Sequence, residues 1–392
     1  MIKMSISVLD KIKNNSTNFL KIAICINFLC FFGALIFFYF FNPYGYNDYI
    51  GSWKPAVERF LTNPNTLYEI NGSPFKNLPE LVFYFMVFQA IPLPDSSVVL
   101  IFSSISLIMD FICCIILYKI ARALNKEKSI SVIIAAMILF FSGQASEYYF
   151  SQIDIYVDLC LLASLYFFVN DRENWQFFFL GLSMIFKFIS LFFVPLLLFH
   201  DGVKIKKIIV RLIYLLVPIL PSIVIFAIYP HLIRTFIDVN AFASQSINVV
   251  YSDIGSITKF LTAILHVDAI YALIGTAIVM YTIGFYVKIK FKLAKLDIYF
   301  LSLFITMLVS PDFTNLHYSI MRGIFTLWMF TYYQRYFKIK VVMFLIIFIY
   351  VFIPFFFIMN ILLFILFLQD IRQSNKEAST ITPDRVILEE SQ

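Results

Sequence analysis

The sequence predicts an all-α polytopic membrane protein, and three observations carry that expectation. The composition is 61% hydrophobic and 14% charged, against about 45–50% and about 25% in soluble domains. Mean hydropathy is +0.87, and a chain of 392 residues cannot hide so much apolar surface in one soluble core. The charges sit in short loops between long apolar runs, where a bilayer would place them. The 48 Phe and 23 Tyr against 11 Gly exclude collagen-like and disordered chains. The net charge of +6 forms no basic stripe interleaved with aromatics, so no nucleic-acid partner is expected. Cys25, Cys30, Cys113, Cys114 and Cys160 all lie in apolar stretches without metal-ligand spacing; small core hydrophobes are expected there, not disulfides or zinc.

The first apolar run, residues 20–41, follows Lys3, Lys11, Lys13 and Lys21. It exceeds the apolar stretch of about 7–15 residues in a signal peptide and ends in Phe41-Asn42-Pro43. An uncleaved first span is expected, with residues 1–19 in the cytoplasm. Basic or mixed loops lie at 122–128, 170–174, 201–211, 288–295 and 335–340, with a polar tail from Asp370. Loops rich in Tyr, Asp, Asn and Ser lie at 42–79, 143–152, 230–259 and 310–319. Placing the first group inside and the second outside gives one alternation through spans near 97–120, 130–142, 154–169, 212–229, 267–287, 298–310 and 320–333. The membrane domain then covers 20–368 with roughly ten to twelve helices, and 369–392 is a cytoplasmic tail expected to be disordered.

Two runs depart from single crossings. Residues 176–199 have both flanks in the inside group, so two half-helices must meet at a turn, with Lys187 at its tip. Twelve helical residues rise only about 18 Å against a hydrocarbon core of about 30 Å, so the turn stays below the outer surface. Residues 341–368, interrupted by Pro354, are read as a second hairpin. The external loop, 42–96, holds two short helices. Residues 49–61 place Ile50, Trp53, Val57, Phe60 and Leu61 on one face and Lys54, Glu58 and Arg59 on the other. That pattern reads as an interfacial helix with Trp53 at headgroup level. Residues 81–91 are too short to span and end at Pro92-Leu93-Pro94, as a re-entrant or interfacial helix would. The loop is therefore a structured platform.

Ionisable groups near the outer face carry the functional reading. Asp48 follows the first span, either as the cap of the next helix or as a catalytic carboxylate. Asp154 and Asp158 are spaced i, i+4 and share a helix face; their repulsion calls for a cation, sugar hydroxyls or a shifted pKa, unless one caps the helix and the other faces water. Lys187 at the hairpin tip suits a phosphate. His317 and Arg322 enter a span from outside, placed to face the same cavity. His231, Arg234, Asp253 and His266 read as loop polar groups. Asp110, inside its span, has no role beyond pairing with a neighbouring helix. Carboxylates suit a base that takes a hydroxyl proton, and cations suit a phosphate leaving group. A lipid-phosphate-linked donor satisfies both and explains the bilayer.

In this order the motifs resemble those of the GT-C superfamily of polyprenyl-phosphate-sugar-dependent glycosyltransferases, its mannosyltransferase-like, GT87-type members in particular. Phe75-Lys76-Asn77-Leu78-Pro79-Glu80-Leu81 is similar to their F-K-Y-P-P-L stretch. Ser151-Gln152-Ile153-Asp154 resembles their G-Q-x-D. Gly181-Leu182 through Lys187-Phe188 and on to Pro195-Leu196-Leu197-Leu198 resembles their G-L-x-x-x-x-K-x-x-P-x-x-x-x-P-L-L-L, and Asn315-Leu316-His317-Tyr318 their H-x-H-Y. Leu78, Ser151, Ser190 and Asn315 depart from the pattern.

The resemblance implies a GT-C-type bundle and inverting transfer of a single hexose, mannose favoured, from a polyprenyl- or dolichyl-phosphate carrier. The acceptor would be a lipid, glycan or protein at the external or lumenal face, in the cell membrane of a prokaryote or the endoplasmic reticulum of a eukaryote. It implies Asp48 as base and Lys187, with Arg322 or His317, as the grip on the lipid phosphate. Gln152 and Asp154 would orient the sugar, with Asp158, Tyr318 and Lys76 as further sugar or acceptor contacts. No metal or cofactor is expected, a divalent ion being the less favoured partner of Asp154. The alternative is a multi-pass transporter or lipid-linked sugar flippase, which needs ionisable groups near mid-bilayer; only Asp110 and Lys187 come close, and no internal repeat is visible. Under a third reading, an assembly subunit, the external polar residues would be dispensable.

Overall fold

The described residues of this computed structural model are 15–41, 48–68, 75, 77–90, 93–140, 148, 153–202, 204–242, 256–310, 318–331 and 356–381; they form helices and no strand. Helix α1 (Ser16–Ile36) continues as a π-helix through Phe37–Phe41. A π-helical turn at Tyr49–Trp53 leads into α2 (Lys54–Thr62), followed by α3 (Glu80–Ala90). Next come α4 (Asp95–Ala123), α5 (Lys128–Met137), α6 (Asp154–Val169) and α7 (Glu173–Phe186). A 3₁₀ segment, Phe188–Phe193, then runs into α8 (Val194–Leu198). Helices α9 (Ile205–Leu216) and α10 (Leu220–Ile228) form one run broken by a 3₁₀ turn at Val217–Ile219. Pro218 and Pro221 lack the N–H groups that a continuous helix would use there. The remaining described helices are α11 (His231–Phe242), α12 (Ile257–Ala263), α13 (Ala269–Phe291), α14 (Lys295–Val309), α15 (Tyr318–Thr331) and α16 (Phe356–Ile381).

Among the described residues, four runs are long and apolar enough to cross a bilayer on their own: Ser16–Phe40, Asp95–Ala123, Ile205–Ile228 and Ala269–Phe291. Their outward faces stay apolar, with Ile274, Ile278 and Val279 on α13 and Ile209, Ile213 and Val224 on α9 and α10 exposed. In water such a surface would be untenable; against hydrocarbon it is satisfied. Helices α5, α6, α14 and α15 fall where spans were expected but hold only 10, 16, 15 and 14 residues. Sixteen residues rise about 24 Å, so these helices depend on their neighbours. α6 packs against α4, α7 and α15, and α14 against α13 and α16. Both are buried on nearly every side, as expected for helices that are apolar all round.

The hairpin expected at 176–199 is present: α7 stops at Phe186, and Lys187 takes an extended backbone with φ −149° and ψ 128°. The platform differs in one respect from its expected place at the lipid interface. Trp53 and Val57 are buried, with the indole stacked on Phe85 at 4.4 Å between ring centroids. This face of the turn and of α2 thus lies on α3 and α4, where stacking covers the indole that the sequence placed at headgroup level. The tail also differs. α16 runs unbroken past Asp370 to Ile381, held by Phe364, Phe367 and Ile371, which are buried; tertiary packing carries a helix through polar sequence that would not hold it alone. Of residues 341–368, where the second hairpin is expected, 341–355 lie outside the described residues and 356–368 belong to α16; residues 382–392 also lie outside the described residues.

Candidate active site

Lys187 sits where α7 ends, and its position follows from the break. With the helix stopped, its side chain leaves the apolar hairpin and meets the first turn of α6. Its Nζ lies 2.6 Å from Asp154 Oδ1, with the lysine side chain 27% exposed and the aspartate 1%. Asp154 is thus an ion-pair partner, and the cap position before it, Ile153, makes no side-chain capping bond. The lysine retains a face toward open space, so its ammonium can serve a second anion without leaving the carboxylate.

One turn along α6, Asp158 belongs to a separate network. Arg322 of α15 lies 3.3 Å from Asp158 through Nε and pairs with Asp110 of α4 through Nη2. The Gly323 backbone N–H donates to Asp158 Oδ1 at 3.4 Å. Asp110 also accepts from the Tyr148 hydroxyl and, at 3.3 Å, from the Asn27 amide of α1, and the same hydroxyl oxygen lies 3.1 Å from Asn27 Oδ1. Asn27, Asp110, Tyr148, Asp158 and Arg322 are all fully buried. This corrects the expectation for Arg322 and Asp158: the guanidinium lies between two carboxylates inside the bundle instead of facing the outer cavity. A charge in a low-dielectric interior must be paired, and the nearest opposite charges belong to the protein itself. Asp110 gains the helix partner that the sequence left open. Asn27 and Tyr148 escaped sequence reading; Asn27 had left one signal, a lone amide within an apolar run.

The platform is joined to the lysine turn by aromatic contacts. Asp48 precedes the π-helical turn with helical φ −59° and ψ −35° and makes no side-chain capping bond, so the capping role weighed from sequence is not the one it plays. Single π-turns are rare and recur at functional sites. Tyr49 packs on Phe102 at 5.5 Å and Phe102 on Tyr84 at 6.2 Å. The Tyr84 and Tyr156 hydroxyls lie 3.2 Å apart, and Tyr156 packs on Phe186 at 5.2 Å. Two further residues tie the loop down. Glu80, at the start of α3, accepts the Ser222 backbone N–H at 2.6 Å and also its hydroxyl, satisfying a donor at the N-terminus of α10. The Asn77 side-chain amide donates to the Phe186 carbonyl. Lys76, Gln152 and His317 lie outside the described residues, and Tyr318 is placed only as the first residue of α15.

A second polar cluster occupies the other end of α7. Arg211 Nη2 lies 2.9 Å from Glu173 and 2.7 Å from Asp201, and Lys207 lies 2.8 Å from Asp201. Burial works against the Asp201 carboxylate, yet hydrogen bonds from Lys207 and Arg211 hold its pKa well below the ordinary range. His200, 3.5 Å from Glu173, has its pKa lowered by burial, with Arg211 adding to the effect. Glu173, His200 and Asp201 bring ligand atoms within 4.8 Å of one another, but Arg211 and Lys207 already neutralise the two carboxylates. The geometry favours a closed ion-pair lock over a metal centre.

The chain matches the model of Glycosyltransferase family 87 over residues 79–311. No curated protein matches it. The matched stretch runs from the start of α3 past the end of α14 and includes Asp154 and Lys187. It spans more than half of the chain, and the protein belongs to glycosyltransferase family 87, as a membrane glycosyltransferase.

Proposed function

We propose that the protein transfers a single hexose, mannose favoured, from a polyprenyl- or dolichyl-phosphate carrier to a lipid, glycan or protein acceptor, with inversion. The observation that carries this reading is the lysine turn: a half-buried ammonium at the break of an apolar hairpin, matched to a phosphate on a greasy chain. Asp48 takes the proton from the acceptor hydroxyl. The acceptor oxygen then bonds to the anomeric carbon on the face opposite the phosphate, and the bond from that carbon to the phosphate oxygen breaks. The electron pair leaves on the phosphate, whose growing charge Lys187 stabilises. Asp154 keeps the ammonium oriented and, with Gln152, accepts hydrogen bonds from sugar hydroxyls. The outer or lumenal face is the side assigned to this chemistry, from the loop charges.

The test is transfer by the purified enzyme from radiolabelled polyprenyl-phosphomannose, and from its glucose counterpart, to extracted membrane lipids. Wild type is expected to transfer, and Asp48→Asn to lose about 10²–10⁴-fold in rate, the range of a general base, with its unfolding midpoint unchanged. A wild-type rate in Asp48→Asn would remove the base assignment.

A further inference from the structure

The break that exposes Lys187 also leaves backbone carbonyls at the end of α7 without helical partners. One of them, the carbonyl of Phe186 immediately before the lysine, accepts the side-chain amide of Asn77. Asn77 is itself held: its own carbonyl accepts the Tyr68 hydroxyl at 3.0 Å. Tyr68 stacks on Phe75 at 5.9 Å and packs on Phe236 at 5.5 Å, and Phe236 packs edge-on against Phe188 at 5.3 Å. The residues on both sides of Lys187 are therefore gripped, Phe186 by Asn77 of the first loop and Tyr156 of α6, and Phe188 by Phe236 of α11, on which Tyr68 of the first loop packs. The Lys187 N–H donates to the Ser183 carbonyl at 3.1 Å, its carbonyl accepts the Ser190 N–H at 3.3 Å, and Asp154 holds the ammonium; the contacts on Phe186 and Phe188 fix the peptides on either side, from which the lysine side chain starts.

We infer that Asn77 is a positioning residue for Lys187, coupling the first loop to the grip on the donor phosphate. The inference rests on the reading of Lys187 as the phosphate-binding cation. Asn77 touches no substrate; it acts by holding the peptide that carries the lysine. Removing its amide frees the Phe186 carbonyl and lets the turn sample other orientations, which weakens binding of the lipid phosphate more than binding of the acceptor.

The experiment measures the affinity of undecaprenyl monophosphate for the full-length protein in nanodiscs, across a double-mutant cycle of Asn77→Ala and Lys187→Ala. Asn77→Ala is expected to weaken binding about fivefold to tenfold, as loss of one hydrogen bond allows. In the Lys187→Ala background the same change is expected to add nothing, because Asn77 acts through the lysine. Tyr68→Phe is expected to give a smaller loss in the same direction. Should Asn77→Ala fail to fold, Asn77→Asp preserves the volume, sets an acceptor against the Phe186 carbonyl and is expected to weaken binding similarly. Unchanged affinity in the Asn77 variants beside a loss in Lys187→Ala overturns the inference and leaves the proposed function standing. Equal losses on both backgrounds mean general loosening and also overturn it. Unchanged affinity in Lys187→Ala overturns the reading beneath both.

Discussion

On α6, Asp154 meets Lys187 at 2.6 Å, while Asp158, one turn on, meets Arg322 at 3.3 Å. The first pair retains an exposed side, and the second has none. Each carboxylate has its own cation, which resolves the repulsion that their i, i+4 spacing would create. Arg322 lies between two buried aspartates, so Arg322→Met leaves buried carboxylates uncompensated. The expected cost is about 3–5 kcal/mol, read as a lowered midpoint in denaturant or thermal unfolding in detergent; an unchanged midpoint would contradict the pairing. The lysine was legible from its place in the hairpin, and Asp110 was legible as an anomaly. That Arg322 answers Asp110, far earlier in the chain, was not, because no local pattern encodes which inward-facing charges share a layer of the bundle.

At the scale of the element, α7 is held at both ends. Midway along it Gly181 lies so close to α9 that a Cβ built there would stand 2.0 Å from the Leu215 carbonyl oxygen. Backbone cannot yield as a side-chain tip can, and small residues serve this kind of close helix crossing in membranes. Gly181→Ala is expected to cost about 1–3 kcal/mol and to lower transfer through displacement of the lysine turn; normal stability and activity would show that the crossing is loose.

The lock at the far end of α7 sets a pH dependence. Burial holds the His200 pKa below its ordinary value, so its neutral form favours the fold at high pH, and that contribution is lost as pH falls through the imidazole range. Asp201, held low by Lys207 and Arg211, contributes above the ordinary carboxylate range and loses its contribution further into acid. Both signs agree. The unfolding midpoint should fall between about pH 7 and pH 4, less steeply in His200→Gln. A midpoint that rises on acidification would mean that His200 works as a charged partner of Glu173.

Over the whole molecule, the all-helical membrane architecture followed from apolar run lengths and loop charges, and the helix positions track it: the run expected at 97–120 is α4, that at 154–169 is α6, and that at 267–287 is α13. Burial depth was less legible. Trp53 looked interfacial on a helical wheel and is a core residue, because amphipathicity tells which face is covered but not by what. The charges inside the bundle are matched within it: Asp110 and Asp158 pair with Arg322 and, with Asn27, knit α1, α4, α6 and α15 together.

The central claim is that the lysine turn holds a lipid monophosphate. Native mass spectrometry of the protein extracted gently from its own membranes tests it most directly. The account predicts a co-purified polyprenyl monophosphate, with or without its sugar, on the wild-type chain and its loss from Lys187→Ala. Retention of that lipid by Lys187→Ala at wild-type occupancy, or a nucleotide-linked sugar in its place, would contradict the account.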